Sequence, residues 1–312
     1  MGPIVNEQGK LSTTVEECLE NWKIFYSKLY RKRQCGKKIK TERSKAEKVY
    51  VQSKVSEAQE ETLDKDITIE EVVEAAFTLR SNTAAGRDSI MSRDILELLD
   101  TSIPNENWKN VEMLRFLKNM LQNMWEAEKV PASFKETVLR PFLKDTEMSP
   151  TDPSNYRPVS LLNVHMKIYE HIIKERLVRV LEKNKYFSNM QAAYRKRRST
   201  VDHLLVIQEI FYVYRYKKSL GVTTDKQPLY LCLMDLAKAF DTVPRDVLFK
   251  KLWGAGIRGK MYRVIKDLYT NNRATIKIGE YVSKSFEIKS GVMQGSKLGP
   301  ILFNIFINVL ES

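Results

Sequence analysis

Apolar positions first fall into a helical rhythm over residues 12–33. Leu19, Trp22, Phe25, Tyr26 and Leu29 recur at three- and four-residue steps, which puts them on one face of a helix. From about Arg31 to Lys65 the chain is polar and charge-rich, and it reads as an exposed helix or a linker. Thr68, with Glu71 three positions on, carries the capping-box signature of a helix running to about Arg80. SNTAAGRDSI interrupts the pattern. Ser92 or Asp88 then starts a helix to Leu99, and residues 108–127 give a further amphipathic one that ends before Val130-Pro131.

The second half reads differently. Five prolines between 131 and 158 predict extended, loop-rich chain with one short strand at TVLRPFL. Helices are predicted from roughly Leu161 to Glu182 and from about Thr200 to Lys217. LYLCLMDL, at 229–236, is a short apolar run ending in Asp235, the pattern of a buried central strand. Helices follow at about 245–254 and 259–271. ATIKIG and SKSFEIKS alternate apolar with polar positions around a turn, so a hairpin is expected. SGVMQGSKLGP is a glycine-rich turn, and 298–311 is a last helix. The fold class is α+β.

Charge changes this picture. Of 312 residues, 52 are Lys or Arg and 39 are Asp or Glu, a net of +13. A surplus of that size suits a polyanionic partner, because neutralising phosphates releases counterions. Solubility or an acidic protein partner would also account for it. Cys18, Cys35 and Cys232 lie far apart, and no Cys/His spacing suits zinc or a disulfide framework. The N-terminus has no apolar signal core, and ILFNIFINVL at 301–310 is too short to cross a bilayer. No membrane association and an intracellular setting, nucleus or cytoplasm, are therefore expected.

Candidate chemistry centres on Asp235. A carboxylate at a strand end beside a turn is a good place to hold a hard divalent cation for phosphoryl transfer. A helix-capping Asp, with Asp241 as a second cap, is the structural alternative. Residues 186–200 hold four basic side chains and no acidic one. They fit either phosphate contact or a solvated basic turn.

Five segments in order resemble non-LTR (LINE-type) retrotransposon reverse transcriptases. LMDLAKAFDTV resembles the first catalytic motif, SGVMQGSKLGPILFNIFIN motif B, and NYRPVSLLNVHMKIYEHIIKERL the start of the fingers. QAAYRKRRSTVDHLL resembles the fingers motif that holds the triphosphate, and ITIEEVVEAAFTLRSNTAAGRDSI the helix and glycine loop ahead of the fingers. Gly86 and Asp88 match that loop, with Arg87 where a Pro usually lies, and Gly299 stands where motif B most often has Ser.

The resemblance implies an RNA-directed DNA polymerase using Mg2+, or Mn2+, with RNA template, DNA primer and dNTP as partners. Asp235 and the backbone carbonyl of Leu236 would bind metal. Phe240 would be the steric gate against a ribose hydroxyl. Arg195, Arg198, Gln294 and Gly295 would contact the nucleotide, and Arg157, Lys196, Arg197 and Asn304 the nucleic acid. The implied organisation is a helical or linker segment at 1–60, a helical N-terminal extension at 61–150, fingers at 151–228 and a partial palm at 229–312. The family's later Asp-Asp motif does not occur in these 312 residues. No thumb is expected, and neither is polymerisation by this chain alone. The alternative is a non-catalytic, basic nucleic-acid-binding remnant.

Overall fold

The computed structural model describes residues 2–32, 62–98, 112–220 and 229–308. Most of the charge-rich stretch after Arg31 lies outside them. The first helix, α1 (Val15–Leu29), starts where Thr14 accepts a hydrogen bond from the Glu17 N–H, and it buries Cys18, Leu19, Trp22, Tyr26 and Leu29. Helix α2 (Ile69–Phe77) has the full capping box: Thr68 accepts from the Glu71 N–H while Glu71 accepts from the Thr68 N–H. Short α3 (Ser92–Leu98) and amphipathic α4 (Glu112–Ala127) follow, both close to their expected places.

Two strands come next. β1 (Glu136–Leu143) was expected, but β2 (Tyr156–Leu161) was not, because its residues were read as a loop running into a helix at Leu161. They pair antiparallel, with Pro141 opposite Pro158. A proline contributes no ladder N–H, so placing the two opposite each other confines the loss to one position. After β2 come α5 (Val164–Lys183) and α6 (Thr200–Ser219), then α7 (Arg245–Gly254) and α8 (Gly259–Leu268). The expected hairpin is present as β3 (Asn272–Ile278), β4 (Tyr281–Val282) and β5 (Phe286–Ile288). Helix α9 (Gly299–Ile307) is the last described element.

The strands form one five-stranded sheet in the order β2-β1-β3-β4, with β5 also pairing β3. The β1–β3 pairing is parallel and joins residues more than 130 positions apart, Glu136 to Arg273 among them. The boundaries expected at 150 and 228 therefore fall inside the span of one sheet. They also fall inside the larger core, which runs from Leu63 to Ile305. A second cluster lies under α1, where Trp22 and Tyr26 pack with Leu139, Tyr156, Ile276 and Ile288.

One expectation fails. Residues 229–236 are not a strand: they carry no regular structure, and Leu233 and Met234 are 82% and 90% exposed. A strand exists through its ladder, and among the described residues none pairs with this run. An apolar sequence supplies the side chains for a buried strand but not its neighbours.

Candidate nucleotide-binding cleft

Two chain segments that the motifs single out run side by side. The Val292 N–H donates to the Phe240 carbonyl (2.9 Å) and the Gly291 N–H to the Val243 carbonyl (2.8 Å). The 240–243 turn is thereby held against the loop leading into α9. That loop is also tied to β2, where the Ser160 N–H donates to the Gln294 carbonyl at 2.7 Å. Gly295 has φ +104°, and a Cβ there would lie 2.6 Å from the Ser160 carbonyl oxygen. Only glycine allows both this backbone conformation and this approach.

From beneath, the loop is held by Glu170 of α5, which is 1% exposed. Its carboxylate accepts from the Ser296 hydroxyl (2.7 Å) and from the Lys297 N–H (2.9 Å). Burial pushes its pKa up to about 7, against the pull of those two donors. Glu170 was not singled out in the sequence, where one Glu in an amphipathic helix looks like any other.

These segments line a cleft of about 1010 Å³, together with Lys144, Arg157, Tyr194, Asp235, Leu236, Lys238 and Lys297. Asp235, Phe240, Gln294, Gly295 and Arg157 thus all line this one cleft. Asp235 is exposed, and Leu236 beside it is 52% exposed. The Phe240 ring stacks on Phe303 (centroids 4.8 Å apart) and meets Tyr194 edge-on (6.0 Å). This packing fixes the ring at the cleft wall.

Asp241, weighed in the sequence only as a possible cap, is the most connected acid of the cleft. It is 2% exposed. It accepts from the Tyr30 hydroxyl (2.9 Å) on one oxygen and from Gln294 Nε2 (3.0 Å) on the other. Burial pushes its pKa up to about 6, opposed by these two donors and by the charges of Lys238 and Lys144.

Other expected contacts take different places. The Arg195 side chain is only 8% exposed, and its guanidinium is committed inside the protein. Its Nε–Nη2 edge donates to both oxygens of the Glu182 carboxylate at 2.8 Å, Nη1 donates to the Ser188 and Gln191 carbonyls, and the group lies over the Phe187 ring. A guanidinium with its donors spent in this way has no free fork for a triphosphate. Lys196 pairs with Glu175, while Arg197 and Arg198 are exposed away from the cleft lining. Asn304 is fully buried and bonds Gln191 and the Ala193 carbonyl, so it braces the basic turn and does not face nucleic acid. Lys144, Lys238 and Lys297 are the cations that sequence reasoning missed. They come from three separate segments and form no run.

A hard divalent cation takes several oxygen ligands. Asp235 can supply one carboxylate, but among the described residues no group of three or more His, Cys, Asp or Glu gathers as a metal site. The described donor set fits one ligand of such an ion and not a whole site. Among the described residues no helix is long and apolar enough to cross a membrane.

Known proteins resemble the chain over the same region. Residues 143–312 match the reverse transcriptase (RNA-dependent DNA polymerase) family. A probable RNA-directed DNA polymerase from transposon BS of Drosophila melanogaster is 26% identical over 246 residues, which is 78% of this chain and 24% of the relative. The RNA-directed DNA polymerase from mobile element jockey of the same species is 26% identical over 77% of this chain and 24% of its own length. A Pol polyprotein from retrotransposable element R2 of Popillia japonica is 25% identical over 77% of this chain and 30% of its own length. The matched region thus covers only 24–30% of the length of these three relatives. With the paired motif segments, the glycine approach at Gly295 and these relatives all in agreement, the chain belongs to the reverse transcriptase family, on its non-LTR retrotransposon branch.

Proposed function

We propose that this chain forms the fingers and the nucleotide-facing part of the palm of an RNA-directed DNA polymerase. The cleft that gathers Asp235, Phe240, Gln294 and four basic side chains carries this reading. Phosphates of an incoming dNTP meet Lys144, Arg157, Lys238 and Lys297, whose charges surround the carboxylate side of the cleft. Arg157 offers the planar fork suited to two phosphate oxygens. Phe240, locked between Phe303 and Tyr194, stands against C2′ of the sugar and excludes a ribose hydroxyl. Gln294 and Gly295 face the base pair being formed. Template and primer are held by the wider basic surface, Lys196, Arg197 and Arg198 included.

Asp235 and the Leu236 carbonyl would be two of the groups holding Mg2+ or Mn2+, which when bound would supply two-metal activation of the primer 3′-hydroxyl. Among the described residues no group of three or more His, Cys, Asp or Glu gathers to complete such a site. That incomplete carboxylate set is also what favours the second reading, a nucleic-acid-binding chain without chemistry of its own.

Binding of mant-dTTP with Mg2+ to the chain on a primed poly(rA) template tests the proposal. Arg157→Ala is expected to weaken nucleotide binding about tenfold, in line with loss of one charge-assisted contact. Arg195→Ala is expected to lower stability and leave nucleotide binding by the folded fraction within about twofold, since its donors serve Glu182. The reverse ranking sinks the assignment. No Asp235-dependent primer extension is expected of the chain alone. Robust extension that Asp235→Ala abolishes would favour a complete site over the binding-only reading.

A further inference from the structure

Helix α1 lies outside every motif, yet its last turn reaches the cleft. Trp22, Tyr26 and Tyr30 follow one another at four-residue steps, with Trp22 stacked on Tyr26 (5.4 Å) and Tyr26 on Tyr30 (6.3 Å). Trp22 also meets Tyr156 of β2 edge-on at 4.9 Å. Phe25 and Leu29 from the same helix line the cleft itself. Tyr30 is held at both ends. Its carbonyl accepts from the Lys289 N–H (2.9 Å), just beyond β5, and its hydroxyl donates to Asp241 Oδ1 (2.9 Å).

The second oxygen of Asp241 accepts from Gln294 Nε2. An ionised carboxylate only accepts, so it determines which end of the amide turns toward it. Gln294 must point its NH2 group at Asp241, which leaves Oε1 and one N–H for a ligand. Without the Asp241 contact the amide can rotate by half a turn and present donor where acceptor stood.

We propose that Tyr30 is a positioning residue for the nucleotide site: its hydroxyl fixes the Asp241 carboxylate, which in turn fixes the amide of Gln294. This rests on the reading of Gln294 as a nucleotide-facing residue. The groups that face Asp241 are consistent with a held carboxylate. Tyr26 and Tyr30 approach from α1, Lys238 from the 237–240 turn, and Lys144 from the end of β1. Arg245 of α7 acts on Tyr30 rather than on Asp241. When Tyr30 is lost, Asp241 keeps its burial and loses one of its two donors, and the carboxylate rotates or takes up a proton.

Two readouts on the 312-residue chain test this. In a 15N-labelled sample the side-chain amide pair of Gln294 is identified by its absence from Gln294→Glu. Tyr30→Phe, which keeps the ring and its stacking, is expected to shift and broaden that pair, and Asp241→Asn to do the same from the other side. On primed poly(rA), Tyr30→Phe is expected to raise the Kd for mant-dTTP–Mg2+ roughly tenfold, the loss of one charge-assisted hydrogen bond. The double variant Tyr30→Phe/Gln294→Ala should bind no more weakly than Gln294→Ala. A Gln294 amide pair unmoved by Tyr30→Phe overturns the proposal, and so do effects of the two substitutions that multiply. If Gln294→Ala binds nucleotide as tightly as the unsubstituted chain, or if the unsubstituted chain shows no specific nucleotide binding, the nucleotide reading of Gln294 fails, and the amide resonance alone decides the role of Tyr30.

Discussion

Gln294 and Asp235 line the same cleft, but the chain around them is in opposite physical states. The loop from Ser290 to Gly299 is tied on every side. It bonds to the 240–243 turn, to β2, and through Ser296 and Lys297 to buried Glu170. The described residues of α6 and of 229–236 are largely open to solvent instead. Leu204 and Tyr212 of α6 are 63% and 66% exposed, as are, even more fully, Leu233 and Met234. Both stretches are apolar enough for a core. The difference lies in whether each meets its partners among the described residues: a loop can be satisfied by backbone contacts from a few neighbours, whereas a central strand needs a ladder on each side.

The largest expected break of the comparison is on the ordered side. Arg176 of α5 is 5% exposed on its side chain and meets Glu71, the capping-box acid of α2, through Nε and Nη2. It also donates to the carbonyls of Leu63, Lys65 and Asp66. Arg176→Ala leaves a half-buried carboxylate and three carbonyls without this donor, and should cost about 3–5 kcal/mol. Urea unfolding measures it, and a loss below about 1 kcal/mol would mean that the 62–77 segment is not docked this way.

A pH series sharpens the same side. Glu170 rises from an ordinary 4.5 to about 7 on folding, because burial disfavours its charge. The folded protein therefore holds the proton more tightly than the unfolded chain does. That stabilisation is complete below pH 4.5 and is lost as pH climbs through 7. The full displacement corresponds to roughly 3 kcal/mol. Asp241 moves in the same direction, from 3.8 to about 6, and adds to the fall at slightly lower pH. Glu170→Gln removes the titration and keeps an oxygen to accept from Ser296 and Lys297. Its stability should stay flatter between pH 5 and 8 and exceed that of the parent at pH 8. An unchanged slope would show that the loop is not held by a buried acid.

What the sequence made legible follows the same division between local and distant partners. The Thr68–Glu71 box was readable because its partners sit three residues apart, and the 272–288 hairpin because its strands alternate apolar and polar positions around one turn. The Gln294–Gly295 turn was readable because close backbone approach leaves a glycine behind. Arg195 was read as part of a free basic run because its ion-pair partner, Glu182, sits 13 residues upstream on α5, outside that run. β2 was missed because its proline disguised a strand whose partner ladder accommodates it. Tyr30 had no signal at all. Its partner Asp241 lies 211 positions away, and a tyrosine at the end of an amphipathic helix is ordinary.

The smallest expected effect is on the exposed side, and it decides whether the contrast is real. Leu233 is 82% exposed and belongs to neither buried cluster. A charge placed on an open, unpaired segment leaves no cavity and buries no ion. Leu233→Asp should therefore change the unfolding free energy of this chain by no more than about 0.5 kcal/mol. In a central strand packed on both faces the same change would bury an unpaired carboxylate and cost several kcal/mol. A loss above about 2 kcal/mol in urea unfolding would put 229–236 back in a sheet. A neutral result, with backbone amides at 231–235 exchanging far faster than those of β1 and β3, would mean that the segment bearing Asp235 has the composition of a strand while lacking the neighbours that make one.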